Sequence, residues 1–165
     1  MKKNSIIIQG RGSIGVRHAN NLIKLGYEPI FLRTKNINHN IPHDTLDIKE
    51  TSDLSTALET NPIAAVIATP TIFHPENAIY FLERNLPTYI EKPLGFKISE
   101  SRLKMLEQFS KKLKIHGGFN FLYSRDFQNI LIEVQKNKEK IISAEIVCHT
   151  NAEKWHSWEN PINSY

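Results

Sequence analysis

Short apolar runs alternate with stretches of helical periodicity through most of this chain. Ser5 to Gln9 contains three consecutive isoleucines and is followed by Gly10, as expected of a parallel strand that is buried on both faces. Apolar residues then recur at helical spacing up to Leu25, and Gly26 stands where a left-handed helix cap is expected. The chain is therefore predicted to open with a strand, a glycine turn and a helix.

The same alternation continues to about residue 118. His74-Pro75 is predicted to begin a helix, because proline suits the first helical turn, and Ser99 is predicted to cap another. The polar residues 35–49 are predicted to be a linking region. Further strands are predicted at Glu28 to Leu32, Ala64 to Ala68, Thr88 to Ile90 and Lys114 to Gly118. This order predicts an α/β fold, a doubly wound parallel sheet with helices on both faces.

The pattern changes near residue 123. One more amphipathic helix is predicted from Phe127, Ile130, Leu131 and Val134. Apolar and polar residues then alternate from Ile142 to Cys148, which predicts a longer strand that starts a second sheet. We therefore predict one domain over residues 1–122, and a linking helix with the truncated start of a second α+β domain over 123–165. The exposed edge of that strand favours pairing into a homo-oligomer.

Composition narrows the functional classes. With 165 residues, 40% of them hydrophobic, the chain can bury one core with a modest extension. The net charge of +4 is spread along the sequence, which favours a small anionic ligand over nucleic acid. The apolar run after Met1 is too short for a signal peptide or a membrane span, so a cytoplasmic location is expected. A lone cysteine, Cys148, and the lack of metal-ligand spacing predict neither a disulfide nor a metal site.

A glycine-rich loop follows the first predicted strand. It reads Gly10-Arg11-Gly12-Ser13-Ile14-Gly15, a G-x-G-x-x-G pattern that opens a predicted helix. In this setting Gly10 makes a tight turn, Gly12 lets the backbone approach a pyrophosphate, and Gly15 allows the helix to pack on the strand. The helix N-terminus adds unpaired N–H groups and partial positive charge. The loop predicts a Rossmann-type dinucleotide-binding domain, and a glycine turn without a ligand is the alternative.

The end of the second predicted strand bears on the choice of cofactor. An acidic residue there normally accepts the ribose hydroxyls of NAD, but this strand ends Phe31-Leu32-Arg33-Thr34. Arg33 is suited to pair with a 2′-phosphate, and Thr34 adds a hydroxyl donor, so NADP is favoured over NAD. In the alternative, Arg33 stacks on adenine, which would serve either cofactor.

Two further motifs stand where predicted strands end. They are Ala68-Thr69-Pro70 with His74, and Glu91-Lys92-Pro93, and Gly117 to Asn120 gives a fourth, looser match. Together with the glycine loop, they resemble the N-terminal half of the glucose-fructose oxidoreductase, inositol dehydrogenase and rhizopine-catabolism (Gfo/Idh/MocA) family. The resemblance covers most of the chain.

The resemblance implies an NAD(P)-dependent oxidoreductase that transfers hydride at a carbinol carbon of a sugar or sugar derivative. It implies that Thr69, Pro70 and His74 border the nicotinamide ribose, and that Glu91 approaches the cofactor. Lys92 is implied to lie beside the reacting carbon, where an amine suits proton transfer or orientation of the alcohol. Lys92 is thus the catalytic candidate as well as a cofactor contact, and the looser match adds Asn120. In the alternative for Lys92, it is a surface lysine before a turn proline. In the alternative for His74, it only caps its helix.

Relatives of this kind carry an aspartate and a histidine on a helix of their second domain, and nothing here corresponds to them. His149 and His156 precede the place where that helix would begin. We therefore expect the chain to bind cofactor but to turn over substrate poorly by itself. The alternative is a non-catalytic dinucleotide-binding module that acts as a sensor or an assembly partner. The sequence does not identify the sugar.

Overall fold

A six-stranded parallel sheet organises the N-terminal part of the chain. The computed structural model describes residues 4–33, 48–95, 98–112, 114–147 and 149. Its strands are β1 (Ser5–Gln9), β2 (Glu28–Leu32), β3 (Glu50–Thr51), β4 (Ala64–Ile67), β5 (Thr88–Ile90) and β6 (Ile115–Gly117). Their order in the sheet is β3-β2-β1-β4-β5-β6, and every neighbouring pair is parallel. The predicted doubly wound Rossmann-type fold is confirmed. Its order reverses between β1 and β4, where such sheets bind ligands.

Helices cover both faces of this sheet. They are α1 (Ser13–Lys24), α2 (Leu54–Leu58), α3 (His74–Leu82) and α4 (Glu100–Ser110). Helix α1 packs on one face through Val16, Ala19 and Leu22. Helices α2, α3 and α4 contribute apolar side chains to the other face. Among the described residues, no helix combines the length and the apolar character that a membrane crossing would require.

The core consists of two clusters because side chains of a strand alternate between the faces of the sheet. Ile7 lies in the cluster beneath α3, while Ile6 and Ile8 lie in the cluster beneath α1. Ile7 and Ile8 are completely buried. A strand buried on both faces needs an uninterrupted apolar run, and this is the pattern that β1 shows.

Local sequence signals explain the helix ends. Gly26 has φ of 87°, and the N–H of Tyr27 donates to the carbonyl of Leu22 at 2.9 Å, a Schellman cap of α1. Ser99 caps α4, since its hydroxyl accepts the N–H of Arg102. The short strand β3 and helix α2 were not predicted. Helix α2 begins after Asp53, whose carboxylate accepts N–H bonds at its N-terminus.

The contacts divide the chain into two units, Met1–Asn120 and Phe121–Tyr165. In the second unit the predicted amphipathic helix forms as α5 (Arg125–Lys136), capped by Ser124. The predicted strand over Ile142 to Cys148 is wrong for the residues described, because 141–147 adopt no regular structure. A strand requires a hydrogen-bonding neighbour, and Ile142 and Ile146 are 100% and 90% exposed instead. Cys148 lies outside the described residues.

Candidate dinucleotide-binding site

The glycine loop joins the end of β1 to the start of α1 and packs tightly. Gly10 has φ of 107°, and a Cβ there would lie 2.4 Å from the carbonyl oxygen of Ala68, which follows β4. A Cβ on Gly15 would lie 2.1 Å from the carbonyl oxygen of Gly10. These positions therefore accept only glycine without a backbone shift. They bring the loop, the helix and the end of β4 into direct contact.

Gly12 lies in open space at the N-terminus of α1. A Cβ added to Gly12 would have no heavy atom within 4 Å, apart from the glycine itself and its chain neighbours. Gly12 is the N-cap residue of α1, yet no side chain caps the helix and no acidic residue occupies its first turn. Ser13 is exposed and Ile14 is partly buried. The first N–H groups of α1 and its positive dipole end are thus available to an anion, and the arrangement fits the diphosphate of a dinucleotide.

Two arginines share one carboxylate at the carboxyl ends of β1 and β2. Nη1 of Arg11 lies 2.5 Å from Oε2 of Glu50, and Nη1 of Arg33 lies 2.7 Å from Oε1. Burial alone would raise the pKa of Glu50, but hydrogen bonds from Arg33 and Arg11 and their charges outweigh it and lower that pKa. The carboxylate is therefore ionised at neutral pH. Thr34, the other candidate here, lies outside the described residues.

His74 connects the motifs that follow β4 and β5. Its side chain is buried, with Nδ1 2.8 Å from the carbonyl oxygen of Pro93 and Nε2 2.7 Å from that of Thr69. Carbonyl oxygens only accept, so both bonds form together when each ring nitrogen carries a proton. The capping alternative for His74 is wrong, because Phe73 is the N-cap of α3 and the ring contacts carbonyls rather than helix N–H groups. Asn77 donates to the Thr69 hydroxyl at 3.0 Å.

Glu91 connects the motif after β5 to helix α1. Its Oε1 lies 2.8 Å from Nε2 of His18, and its Oε2 accepts the backbone N–H of Lys92 at 3.1 Å. Burial alone would raise the pKa of Glu91, but the hydrogen bonds from His18 and Lys92 and their charges lower it. The Tyr89 ring packs edge-on against His18 at 5.1 Å between ring centres. The backbone of Lys92 is thus linked through Glu91 to His18 on helix α1, the helix that follows the glycine loop.

The remaining candidates lie at the same edge of the sheet. Lys92 and Pro70 are exposed, as is Asn120 just after β6. A Cβ on Gly118 would lie 3.1 Å from Cα of Glu91, so the end of β6 packs against the motif after β5. Among the residues that the structure describes, no three histidines, cysteines or acids are grouped to hold a metal ion.

Sequence reasoning missed three side chains at this edge. His18 stands three positions after Gly15 on one helix, and Asn77 three positions after His74 on another, so helical spacing offered a signal for both. Glu50 offered none, since it follows a polar region without pattern and is 39 positions from Arg11.

Comparisons with known proteins agree with this fold. A family model described as an oxidoreductase family with an NAD-binding Rossmann fold matches residues 5–117. Among solved structures, myo-inositol 2-dehydrogenase from Lactobacillus plantarum is 23% identical with a TM-score of 0.65, over 83% of this chain and 42% of that protein. Scyllo-inositol dehydrogenase from Lactobacillus casei, bound to NAD(H) and scyllo-inositol, is 21% identical with the same TM-score and the same coverage.

A third similar structure has a different substrate. Biliverdin reductase from Synechocystis sp. PCC 6803, in complex with biliverdin and NADP+, is 18% identical with a TM-score of 0.61, over 83% of this chain and 43% of that protein. The chain thus spans about two fifths of the length of these structures. At these identities the likeness is one of fold. A search of curated protein sequences finds no significant match.

Proposed function

Since this chain belongs to the Gfo/Idh/MocA oxidoreductase family, with its NAD-binding Rossmann fold, we propose that it is the cofactor-binding part of an NAD(P)-dependent oxidoreductase of sugar-type alcohols. The observation that carries the proposal is the open backbone at Gly12, at the uncapped start of α1. Helix α1 also holds the Glu91-Lys92 motif through the bond from His18 to Glu91. One helix therefore anchors both the anion-binding loop and the lysine.

Different groups of residues are proposed to bind different parts of the dinucleotide. Backbone groups of residues 10–15 hold the diphosphate, and Arg33 lies on the adenosine side at the end of β2. Thr69, Pro70, His74, Glu91 and Asn120 form the nicotinamide side, where His74 holds the Thr69 backbone in place. The guanidinium of Arg33 favours the 2′-phosphate of NADP, and the same cradle admits NAD.

Lys92 is the proposed catalytic residue. A bound nicotinamide cofactor supplies the hydride acceptor or donor. Lys92 is proposed to orient the substrate hydroxyl: its neutral amine would accept the hydroxyl proton as the carbon is oxidised, and its ammonium would return that proton as the carbonyl is reduced. Its backbone is fixed by the N–H bond to Glu91, so the side chain starts from a defined point at the sheet edge. Inositol dehydrogenases among the similar structures support a polyol or sugar as the substrate class.

Turnover and binding measured on one set of variants test this proposal. In the complete polypeptide that the gene encodes, Lys92→Met should lower turnover of a polyol and sugar panel by about a hundred- to ten-thousandfold. The dissociation constant for NADPH should rise by no more than about tenfold, since one side-chain contact is lost while the loop at Gly12 is untouched. Lys104→Met, which removes a lysine paired with Glu100 on α4, should alter neither quantity.

Three results would each contradict a different part of the proposal. If calorimetry detects no NADPH or NADH binding, the dinucleotide site is wrong. If a dinucleotide binds but no polyol or sugar is turned over, the substrate class is wrong and a non-catalytic binding module is the better account. Unchanged turnover in Lys92→Met would remove the catalytic role of that lysine alone.

A further inference from the structure

Glu50 is built into the sheet next to the two arginines. In the register of β2 with β3, Phe31 lies opposite Glu50. The N–H of Phe31 donates to the carbonyl of Lys49 and the N–H of Arg33 to that of Thr51, both at 2.9 Å. The residues before and after Glu50 are therefore both hydrogen-bonded to β2, which fixes the backbone of Glu50 beside the end of that strand.

Each oxygen of this carboxylate already accepts one guanidinium. Arg11 takes Oε2 and Arg33 takes Oε1, and the Arg11 guanidinium also lies 5.6 Å from the centre of the Phe31 ring. The side chains of the cluster are only 28% to 39% exposed. The three charges sum to +1 rather than the +2 of two bare arginines, and a carboxylate occupies the space between them.

In dinucleotide-binding folds, an acid at the end of the second strand accepts the ribose 2′-hydroxyl of NAD, while an arginine there accommodates the 2′-phosphate of NADP. This cluster contains both chemistries, with the acid supplied by β3. A phosphate would form the same charge-assisted bonds with the two guanidiniums that the carboxylate forms here. Carboxylate and phosphate therefore compete for one position.

We propose that Glu50 determines the cofactor preference of this site, by holding Arg11 and Arg33 in a pair that a 2′-phosphate must take over. This inference rests on the proposed dinucleotide-binding function. Glu50 lowers the affinity for NADP below the value that the arginines alone would give. It leaves NAD nearly unaffected, because NAD brings no second anion to the cluster.

Dissociation constants measured by calorimetry test the competition. Glu50→Gln should tighten binding of NADPH, and of the fragment 2′,5′-ADP, by about tenfold, the size of one charge-assisted contact. Binding of NADH and of 5′-AMP should change less than about twofold. Glu28→Gln is the matched control, since it removes a carboxylate paired with Lys49 at the opposite end of β2 and should leave all four constants unchanged.

A second variant tests the same competition by removing one of the two guanidinium groups. Arg33→Met should weaken NADPH binding by about tenfold and leave NADH binding within about twofold. Weaker NADH binding in Glu50→Gln would overturn the inference, because Glu50 would then be a ribose acceptor. Equal changes for both cofactors, or none for either, would also overturn it. Failure of the wild-type chain to bind any dinucleotide would instead refute the proposed function.

Discussion

We expect Gly12→Ala to weaken cofactor binding without destabilising the fold. Gly12 has φ of −76° and ψ of −179°, extended backbone that alanine adopts without strain. No atom lies within 4 Å of the added methyl group, so the folded protein accommodates it. The free energy of unfolding should therefore change by less than about 1 kcal/mol, because the restriction that alanine places on the unfolded chain opposes the preference of the N-cap position for glycine over alanine.

In the proposed complex the methyl group would occupy space that the diphosphate needs, because the second glycine of such a loop lets the backbone approach the pyrophosphate. Forcing an extra carbon into a closely packed contact costs about 1 to 3 kcal/mol. This cost corresponds to an increase of about five- to 150-fold in the dissociation constant for NADPH and for NADH. Both cofactors should be affected alike, since they share the diphosphate. Calorimetric titration measures the constants, and urea unfolding measures the stability.

Gly15→Ala is the matched control from the same loop. Its Cβ would lie 2.1 Å from the carbonyl oxygen of Gly10, far inside contact distance, so the backbone must shift. The expected loss is about 1 to 3 kcal/mol of unfolding free energy or more. Unchanged cofactor affinity in Gly12→Ala would refute the cradle. A loss of unfolding free energy in Gly12→Ala as large as that in Gly15→Ala would show that the space at Gly12 is not open.

Two further predictions concern the contact between α1 and the motif after β5. His18→Ala removes a hydrogen-bond partner of the partly buried Glu91 carboxylate, so the free energy of unfolding measured in urea should fall by about 1 to 2 kcal/mol. His18→Gln should restore part of this loss. NMR titration of His18→Ala should show a higher pKa for Glu91 than in wild type. The pKa of Glu91 is lowered from its usual 4.5 in the folded protein, so its contribution to stability is complete above pH 4.5 and is lost as pH falls through the lowered value. The stability advantage of wild type over Glu91→Gln should therefore shrink below pH 4.5 in thermal unfolding, and a constant difference across pH would contradict this assignment.

Strong local signals made most of the sheet predictable. The isoleucine run of β1 cannot lie on a half-exposed surface, and Gly26 fits the left-handed cap that ends α1. Helix α2 escaped prediction because its five residues, Leu54–Leu58, are too few to show a period. Strand β3 is shorter still, and only its pairing with β2 defines it.

The candidate site was predictable only where its residues are close together in the sequence. Gly10 to Gly15 form one loop, so their spacing between a predicted strand and a predicted helix indicates a phosphate cradle. The pairing of Glu50 with Arg11 and Arg33 depends on how β2 meets β3, which no local pattern records. The region after Val134 shows the opposite error, since the alternation from Ile142 favours a strand that lacks a pairing neighbour in the described chain.

The buried ring of His74 has a mechanical consequence for the sheet edge. The ring lies between the carbonyl oxygen of Thr69 and that of Pro93, at 2.7 and 2.8 Å from its two nitrogens, so it packs directly between the turns after β4 and β5. Movement of either turn would disturb the contacts of this buried ring, so the ring limits the distance between the two turns that we propose to border the nicotinamide. A pocket whose walls are held in this way loses little conformational entropy when a ligand binds. Its affinity is therefore higher than that of a flexible pocket with the same contacts.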